Sequence, residues 1–383
     1  MSEEKNVPNI RFKGFTDPWE QRKLGEVANI VGGGTPSTSN PEYWNGSIDW
    51  YTPAEIGDHI YINNSKKKIT ELGLKKSSAQ MLPKGTILFT SRAGIGNTGI
   101  LIKEGSTNQG FQSIVPKGEK LDSYFIYTCS NMLKRYGEKY GAGSTFIEIS
   151  GRQMTKMPIN VPAIKEQSKI GHLSKKVDIT IALHQQKVTQ LKELKKLLMQ
   201  KIFDQEWRFK GFTDPWEQRK LGEVVTSIIV GGDIDKSKIL RNGKYPVYAN
   251  ALTDDGIVGY YDDQYRVKAP AVTVTGRGKI GIAKARNSNF TPVVRLLAIN
   301  SSHNNYFLAN LINTNKMFVE STGVPQLTAP QLSNYKMKFP NNLEEEIQIG
   351  VFFSQLDSLI DLHQQKVDQL KELKKYLMQN LFV

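Results

Sequence analysis

Two long stretches of the chain repeat apolar residues at spacings of three and four. The first stretch has them at Ile170, Leu173, Val177, Ile181, Val188, Leu191, Leu194, Leu198 and Ile202. The second has them at Ile349, Phe352, Leu356, Ile360, Val367, Leu370, Leu373, Leu377 and Leu381. Each stripe has one polar step, at His184 and at His363. A single stripe at this spacing predicts a helix packed on another helix, close to a coiled-coil seam. Each helix can reach about 40 residues, or roughly 60 Å.

The rest of the chain predicts mixed structure with many short strands. GTILFTS at 85–91 and PAVTVTG at 270–276 are β-rich runs that end in turn residues. Short helices are predicted at 123–136 and 303–313, and clusters of Gly, Asn and Asp between the runs indicate turns. The fold class expected is therefore α+β.

Two segments of the chain are repeated. RFKGFTDPWEQRKLGEV occurs at 11–27 and again, unchanged, at 208–224. LHQQKVTQLKELKKLLMQ at 183–200 returns at 362–379 with two differences, Thr189 to Asp368 and Leu197 to Tyr376. The material between the repeats differs in sequence and length. This pattern predicts a duplicated frame that carries two variable inserts.

Charge separates the parts of this frame. The net charge of the chain is +14. Residues 1–163 carry +5 and residues 204–342 carry +6, whereas the helical stretches carry +6 at 164–203 and −3 at 343–383. Opposite charge on the two helices favours their pairing within the chain. Two equally basic inserts favour a polyanion that both inserts touch, such as nucleic acid.

Other compositional features exclude several classes of protein. The single cysteine, Cys129, excludes an intrachain disulfide and a cysteine-rich metal cluster. No apolar run approaches the roughly 20 residues that cross a bilayer, and the N-terminus has no signal-peptide pattern, so a cytoplasmic protein without membrane contact is expected.

No catalytic or cofactor motif is found in the sequence. The glycine-rich run VGGGTPSTSNPEYWNG, 31–46, lacks the residue order of a phosphate-binding loop and is followed by no helical pattern, so an irregular loop is expected there. Methyl-donor, base-pocket, nuclease and zinc patterns are likewise missing. The five histidines are scattered, and His184 and His363 are interpreted as residues of a helix interface.

One small feature recurs in both inserts. TSRAGIGN at 90–97 aligns with TGRGKIGI at 275–282, and each places an arginine in a glycine-rich turn just after a β run. A solvated turn explains this pattern, and so does a loop that brings arginine to a phosphate or base edge of DNA. The recurrence favours DNA contact, and the candidate residues are Thr90, Ser91, Arg92, Asn97, Thr275, Arg277 and Lys279.

These features together resemble the specificity (S) subunit of type I restriction-modification enzymes. The resemblance rests on both copies of FKGFTDPWEQRKLGEV, on GGGTPSTSNPEYWNGSIDW, on the SRAGIG turn, and on both LHQQKV repeats. The second insert departs from the pattern, because it has only VGGDID, 230–235, in place of the GGTPS stretch.

The resemblance implies two mixed α/β target recognition domains separated by a pair of long antiparallel helices, a coiled-coil-like spacer, in a pseudo-two-fold internal duplication. The expected domains are 1–163 and 206–342 for recognition, with spacer helices at 164–205 and 343–383. Each recognition domain would read one half of a bipartite site in double-stranded DNA.

The partners implied are two methyltransferase (M) subunits, with restriction (R) subunits joining through them. S-adenosylmethionine, ATP and Mg would be bound by those partners, and this chain would be non-catalytic and hold no cofactor or metal. The residues expected to form the spacer or to dock the M subunits are Trp19, Trp216, His184, Val188, Leu191, Leu194, Leu198, His363, Val367, Leu370, Leu373 and Leu377. The alternatives are a self-sufficient DNA methyltransferase and a scaffold that does not bind DNA.

Overall fold

The chain forms two compact units. The computed structural model describes residues 7–382 except 58, 93, 144–146, 252, 316 and 318–324. Unit 1 consists of Met1–Leu183 with Val367–Val383, and unit 2 consists of His184–Lys366. Each unit contains one copy of the seventeen-residue repeat, one variable insert and a segment from each of the two long helices.

Unit 1 is built from ten strands and several helices among its described residues. The strands are β1 (Glu20–Lys23), β2 (Ala28–Gly32), β3 (Trp44–Tyr51), β4 (Tyr61–Ile62), β5 (Lys67–Ile69), β6 (Ile87–Phe89), β7 (Thr98–Leu101), β8 (Ser106–Thr107), β9 (Gln112–Pro116) and β10 (Pro158–Val161). The helices are α1 (Leu24–Val27), α2 (Glu71–Lys75), α3 (Ser123–Thr128), α4 (Ser130–Tyr140), α5 (Gly151–Thr155) and the first part of α6 (Ile164–Phe203).

Unit 2 has nine strands among its described residues. They are β11 (Glu217–Lys220), β12 (Ser227–Val230), β13 (Tyr245–Tyr248), β14 (Ile257–Tyr261), β15 (Ala271–Thr275), β16 (Ala283–Arg286), β17 (Thr291–Pro292), β18 (Leu296–Asn300) and β19 (Lys336–Phe339). The helices are α7 (Leu221–Val224), α8 (Asn305–Thr314), α9 (Ala329–Asn334), the rest of α6, and α10 (Leu343–Asn380), which continues into unit 1.

The two inserts share one strand topology although their sequences differ. The larger sheet runs β2-β9-β6-β7-β4 in unit 1 and β12-β18-β15-β16 in unit 2, and the smaller runs β5-β3-β8 and β14-β13-β17. The larger-sheet pairs common to both units are antiparallel, and in each small sheet one pair is antiparallel and the other parallel. Only β4 has no counterpart among the described strands of unit 2.

Burial of the central strands explains why divergent sequences keep this arrangement. Both β6 and β15 are buried along their whole length, as expected for strands covered on both faces. The helix that follows the large sheet is capped in the same way in each unit. Asp122 accepts hydrogen bonds from the first amides of α3, and Asn304 does so for α8.

The sequence prediction of one helix at 123–136 is wrong in detail. Two helices, α3 and α4, occupy this region and meet at Cys129. In unit 2 one uninterrupted helix, α8, lies over the segment predicted at 303–313.

The seventeen-residue repeat builds the same structure in both units. Arg11 makes a two-pronged ion pair with buried Glu166, with both N–O distances at 2.8 Å. Arg208 makes the equivalent pair with Glu345 at 2.9 and 2.7 Å. Both carboxylates are at most 2% exposed, so each arginine compensates a buried charge.

Segments of α6 and α10 pack together within each unit. In unit 1, Val177 and Ile181 contact Val367, and Lys374 binds Asp178 at 2.6 Å. In unit 2, Val188 and Leu191 contact Ile360. Lys195 binds Asp357 there, also at 2.6 Å, which is the equivalent ion pair in the repeat. Neither helix, nor any other in the described part of the chain, is long and apolar enough to cross a membrane.

Candidate functional site

The arginine-bearing turn of unit 1 is held from inside by Thr90. The Thr90 hydroxyl donates to the carbonyl of Gly94 at 2.7 Å and accepts from the amide of Asn97 at 2.9 Å. The Thr90 backbone closes the same turn, since its carbonyl accepts from Gly96 and its amide donates to Asn97. These bonds close the turn that connects β6 to β7 and contains Arg92.

The turn of unit 2 repeats this geometry. The Thr275 hydroxyl donates to the carbonyl of Lys279 and accepts from the amide of Ile282 at 2.9 Å. The Thr275 carbonyl accepts from Gly281 at 2.8 Å, and its amide donates to Ile282 at 3.0 Å. The two inserts therefore present arginine on the same threonine-clamped turn, as their sequence alignment predicts.

One glycine in each turn is required by the backbone. Gly96 and Gly281 occupy equivalent positions with φ of +92° and +80°, in the region that favours glycine. A Cβ on Gly96 would lie 2.9 Å from the Cα of Lys134 on α4, so the turn approaches the helix closely.

Only part of the predicted DNA-binding set reaches the surface. Asn97, Arg277 and Lys279 are exposed, and the Arg92 side chain is 37% exposed. Thr90, Ser91 and Thr275 are buried. We therefore correct their predicted role in DNA contact, because these side chains lie inside the fold and the threonines serve as clamps. Ala93 of the first turn lies outside the described residues.

The positive charges of Arg92 and Arg277 have few ion-pair partners among the described residues. Arg92 lies 3.8 Å from Glu148, and both groups are largely solvated, so this ion pair is weak. The Arg277 guanidinium has no hydrogen bond or ion pair with any residue that the structure describes. Among the described residues, neither arginine therefore has a close anionic partner.

A glycine pair beside each turn makes the inserts more alike than their sequences indicate. A Cβ on Gly33 would lie 1.9 Å from the carbonyl oxygen of Asn108, and one on Gly231 would lie 2.0 Å from that of Val293. VGGDID, 230–235, therefore occupies the structural place of GGGTPS, 32–37, and the expected departure of the second insert begins only after its two glycines.

Sequence reasoning missed Asn250, which lies beside the second turn. Its side chain accepts from the amide of Gly276 at 2.9 Å and donates to the carbonyl of Val294 at 3.1 Å. The residues that it joins are 26 and 44 positions away along the chain, so no local pattern indicates this contact.

The tryptophans of the predicted docking set lie in the interior. Trp19 is 3% exposed and packs edge-on against Phe125 and Phe382. Trp216 is 7% exposed and packs likewise against Phe203. Neither indole is available to a docking partner, and both belong to the hydrophobic cores of their units.

The helix residues of that set divide between two environments. Val188, Leu191 and Val367 are buried, and Leu198, Leu370 and Leu377 are partly buried. Leu194 and Leu373, which correspond in the repeat, are each 45% exposed. Their assignment to the seam is wrong, because the apolar stripe of each helix is wider than the surface that its partner helix covers. These two leucines therefore face solvent. Further exposed apolar residues at repeat positions are Leu183, Leu362, Leu197 and Tyr376.

His184 and His363 lie against each other in unit 2. Their Nδ1 atoms are 2.8 Å apart, so one imidazole donates and the other accepts. The two histidines therefore make the contact between α6 and α10 at the one polar position of each apolar stripe. No group of three metal-ligating side chains occurs among the described residues.

Comparison with known proteins identifies the family. The family model for the type I restriction modification DNA specificity domain matches residues 16–193 and 213–372. The chain belongs to this family. The two matched ranges contain the two threonine-clamped turns, so each specificity domain carries one of them.

Two curated relatives are specificity subunits. The type I restriction enzyme MjaIX specificity subunit of Methanocaldococcus jannaschii is 31% identical over 60% of this chain and 56% of that protein. The EcoR124I/EcoR124II specificity subunit of Escherichia coli is 30% identical over 44% of this chain and 43% of that protein. The matches thus span about half the length of these relatives.

A solved structure shares the fold over nearly the whole chain. The S subunit of a type I restriction-modification system from M. genitalium superposes with a TM-score of 0.71 at 14% identity. The superposition covers 98% of this chain and 99% of that one. The arrangement of mixed helix and strand in two specificity domains is therefore a fold found in this family.

Proposed function

We propose that the chain is the DNA-recognition subunit of a type I restriction-modification complex, with each unit reading one half of a bipartite site. One observation carries the proposal. Two inserts of different sequence keep one topology and one threonine-clamped turn, and they differ in the side chains around it. A shared scaffold with different surface residues is what two readers of different half-sites require.

Charge supports contact with DNA. Residues 1–163 and 204–342 carry net charges of +5 and +6, and Arg92 and Arg277 lie within the clamped turns. Arginine can bind both phosphate oxygens and the O6 and N7 atoms of guanine in a two-pronged geometry. The turns are therefore proposed to enter the DNA interface, with Asn97 and Lys279 beside them.

Catalysis is assigned to partner subunits. Two methyltransferase subunits, with restriction subunits joined through them, would bind S-adenosylmethionine, ATP and Mg. The repeat supports two docking sites for copies of one partner, because it places exposed apolar residues in both units. In unit 1 these are Leu183, Leu373 and Tyr376, and in unit 2 they are Leu362, Leu194 and Leu197.

The long helices are proposed to set the distance between the half-sites. Both α6 and α10 continue without interruption from one unit into the other. Half-site centres about one helical turn apart, roughly 10 base pairs, would allow both units to read the same face of the duplex.

DNA binding by the assembled complex tests the recognition role. Wild-type complex selects duplexes from a library randomised in sequence, and Arg92→Ala and Arg277→Ala are compared with it. Removing a base contact at either turn costs about 1–3 kcal/mol and relaxes one half-site only. Removing a phosphate contact weakens binding on all sequences and lowers the salt slope by about one unit. Arg241→Ala, an exposed arginine in unit 2 at the opposite end of β13 from Asn250, is the control.

Absence of any selected bipartite sequence with the wild-type complex would contradict the proposal. Methyl transfer by the chain alone, measured with tritiated S-adenosylmethionine, would contradict the assignment of catalysis to partners.

Docking is tested by placing a negative charge on the exposed leucines of the repeat. Leu194→Glu and Leu373→Glu are each expected to remove one methyltransferase subunit, and the double variant both, as counted by native mass spectrometry. Leu72→Glu, at a similarly exposed leucine of the first insert, is the control. Full assembly of the double variant would refute docking at these leucines.

A further inference from the structure

A second arginine lies beside the clamped turn of unit 2. Arg295 is half-buried, and its guanidinium has no hydrogen bond or ion pair with any residue in the described part of the chain. A Cβ on Gly276, the residue before Arg277, would lie 2.2 Å from the Arg295 carbonyl oxygen. Two arginines without side-chain partners among the described residues therefore extend from backbone segments in direct contact.

The backbone at Arg295 is unfavourable for an arginine. Residues Val293–Leu296 form a turn closed by the Leu296 amide and the Val293 carbonyl at 3.0 Å, and Arg295 adopts φ of +69° within it. Side chains other than glycine carry a steric cost in this left-handed region. Such outliers concentrate where a side chain has a function that outweighs the cost.

Hydrogen bonds to neighbouring segments of unit 2 hold this turn in place. Asn250 binds both Gly276 and the carbonyl of Val294. The Val293 amide donates to Tyr248 at 2.8 Å, and the Leu296 carbonyl accepts from Gly231 at 2.8 Å. Arg295 is thus presented by a turn that hydrogen bonds fix to its neighbours, rather than by a free loop.

Unit 1 has no side chain at the corresponding place. Asn108 corresponds to Val293, because each contacts the glycine pair of its own unit. Gly110 and Arg295 each lie two residues further along, so Gly110 is the structural equivalent of Arg295. A Cβ on Gly110 would lie 2.7 Å from Pro53, so this position excludes a side chain without rearrangement. The neighbouring Gln109 is exposed and accepts a hydrogen bond from Thr35. The two units therefore differ in the arginines that lie near the clamped turn.

We propose that Arg295 is a specificity-determining residue of unit 2 that reads a guanine next to the position contacted by Arg277. The inference rests on the proposed function and deepens it by naming a base. A guanidinium fork fits the O6 and N7 acceptors of guanine in the major groove, and this is the commonest specific contact in protein–DNA complexes. Lysine cannot reproduce the planar two-pronged geometry, although it keeps the charge.

The experiment compares three complexes, each assembled with its methyltransferase subunits: wild type, Arg295→Gly and Arg295→Lys. Each selects duplexes from a library randomised across both half-sites, and binding to the wild-type sequence is then measured. Arg295→Gly is expected to lose the guanine preference at one position and to bind about 10- to 100-fold more weakly. The other half-site should be unchanged. The melting temperature of Arg295→Gly should equal or exceed that of wild type, because glycine adopts the positive φ of this turn without steric cost.

Arg295→Lys separates base reading from phosphate contact. We expect it to recover part of the affinity for all sequences without restoring the guanine preference. Full recovery of both would mean that only the charge matters and would overturn the inference. Selection of the wild-type sequence by Arg295→Gly would overturn it as well, while leaving the proposed function intact. Failure of the wild-type complex to select any sequence would refute the proposed function itself.

Discussion

Replacing Thr275 by valine tests whether the clamp orders the arginine-bearing turn of unit 2. The hydroxyl makes two hydrogen bonds within the turn, to the carbonyl of Lys279 and from the amide of Ile282. Each such bond contributes about 0.5–1.5 kcal/mol, so Thr275→Val is expected to destabilise the turn by about 2 kcal/mol. Valine has nearly the shape of threonine, so the core contacts of this buried residue persist.

Two assays measure this destabilisation. Hydrogen exchange should accelerate at the amides of residues 279–282, by up to about 30-fold if the turn opens locally, since 1.4 kcal/mol is a factor of ten. Affinity for the half-site of unit 2 should fall by up to the same factor, because the turn must be reordered on binding. Thr275→Ser, which keeps the hydroxyl, should remain close to wild type in both assays.

Thr90→Val provides the matched comparison in unit 1, where the hydroxyl makes the same two bonds. It should weaken only the other half-site. The clamp role is refuted if valine at either position leaves exchange and affinity unchanged. It is also refuted if one variant weakens both half-sites equally, because the clamps would then act on the whole chain.

Three further predictions concern the core, the thiol and the helices. Glu345→Ala should destabilise unit 2 by about 3–5 kcal/mol in urea unfolding, because half-buried Arg208 loses its partner. Alanine at the exposed Glu217 should have no measurable effect, and equal stability of the two variants would contradict the prediction. Burial raises the pKa of Cys129 to about 12, so Ellman's reagent at pH 8 should label it only on unfolding, and rapid labelling of native protein would disprove its burial. Inserting four residues, roughly 6 Å of helix, after both Lys187 and Lys366 should lengthen the gap between half-sites by one or two base pairs at about 3.4 Å each. New half-site bases or an unchanged gap in the selected sequences would show that the helices do not set the spacing.

The sequence alone determined the features that depend on neighbouring residues. A stripe with spacings of three and four requires a helix whatever surrounds it, because the period is a property of the helix itself. The clamped turns are likewise local, since Thr90 and Asn97 lie seven positions apart and their bonds close within that span. The two turns could therefore be aligned from the amino-acid sequence, and they make equivalent hydrogen bonds in the structure.

The tertiary structure decided which side of each pattern meets solvent. Leu194 and Leu373 continue the helical stripe and yet are exposed, because a helix contact covers less than the full width of the stripe. Trp19 is buried by Phe382, at the far end of the chain. Contacts of this kind depend on packing between distant segments, which no period within one segment encodes.

The surroundings of the clamped turn in unit 2 show the same division between local sequence and long-range packing. Arg277 could be picked out because its turn has a counterpart in the other insert. Arg295 could not, because its place beside this turn depends on the approach of Gly276 to Arg295 and on the bond from Asn250 to Val294, which arise only when the chain folds. Local sequence determined the helices, strands and turns, and long-range packing determined which of their side chains form one surface.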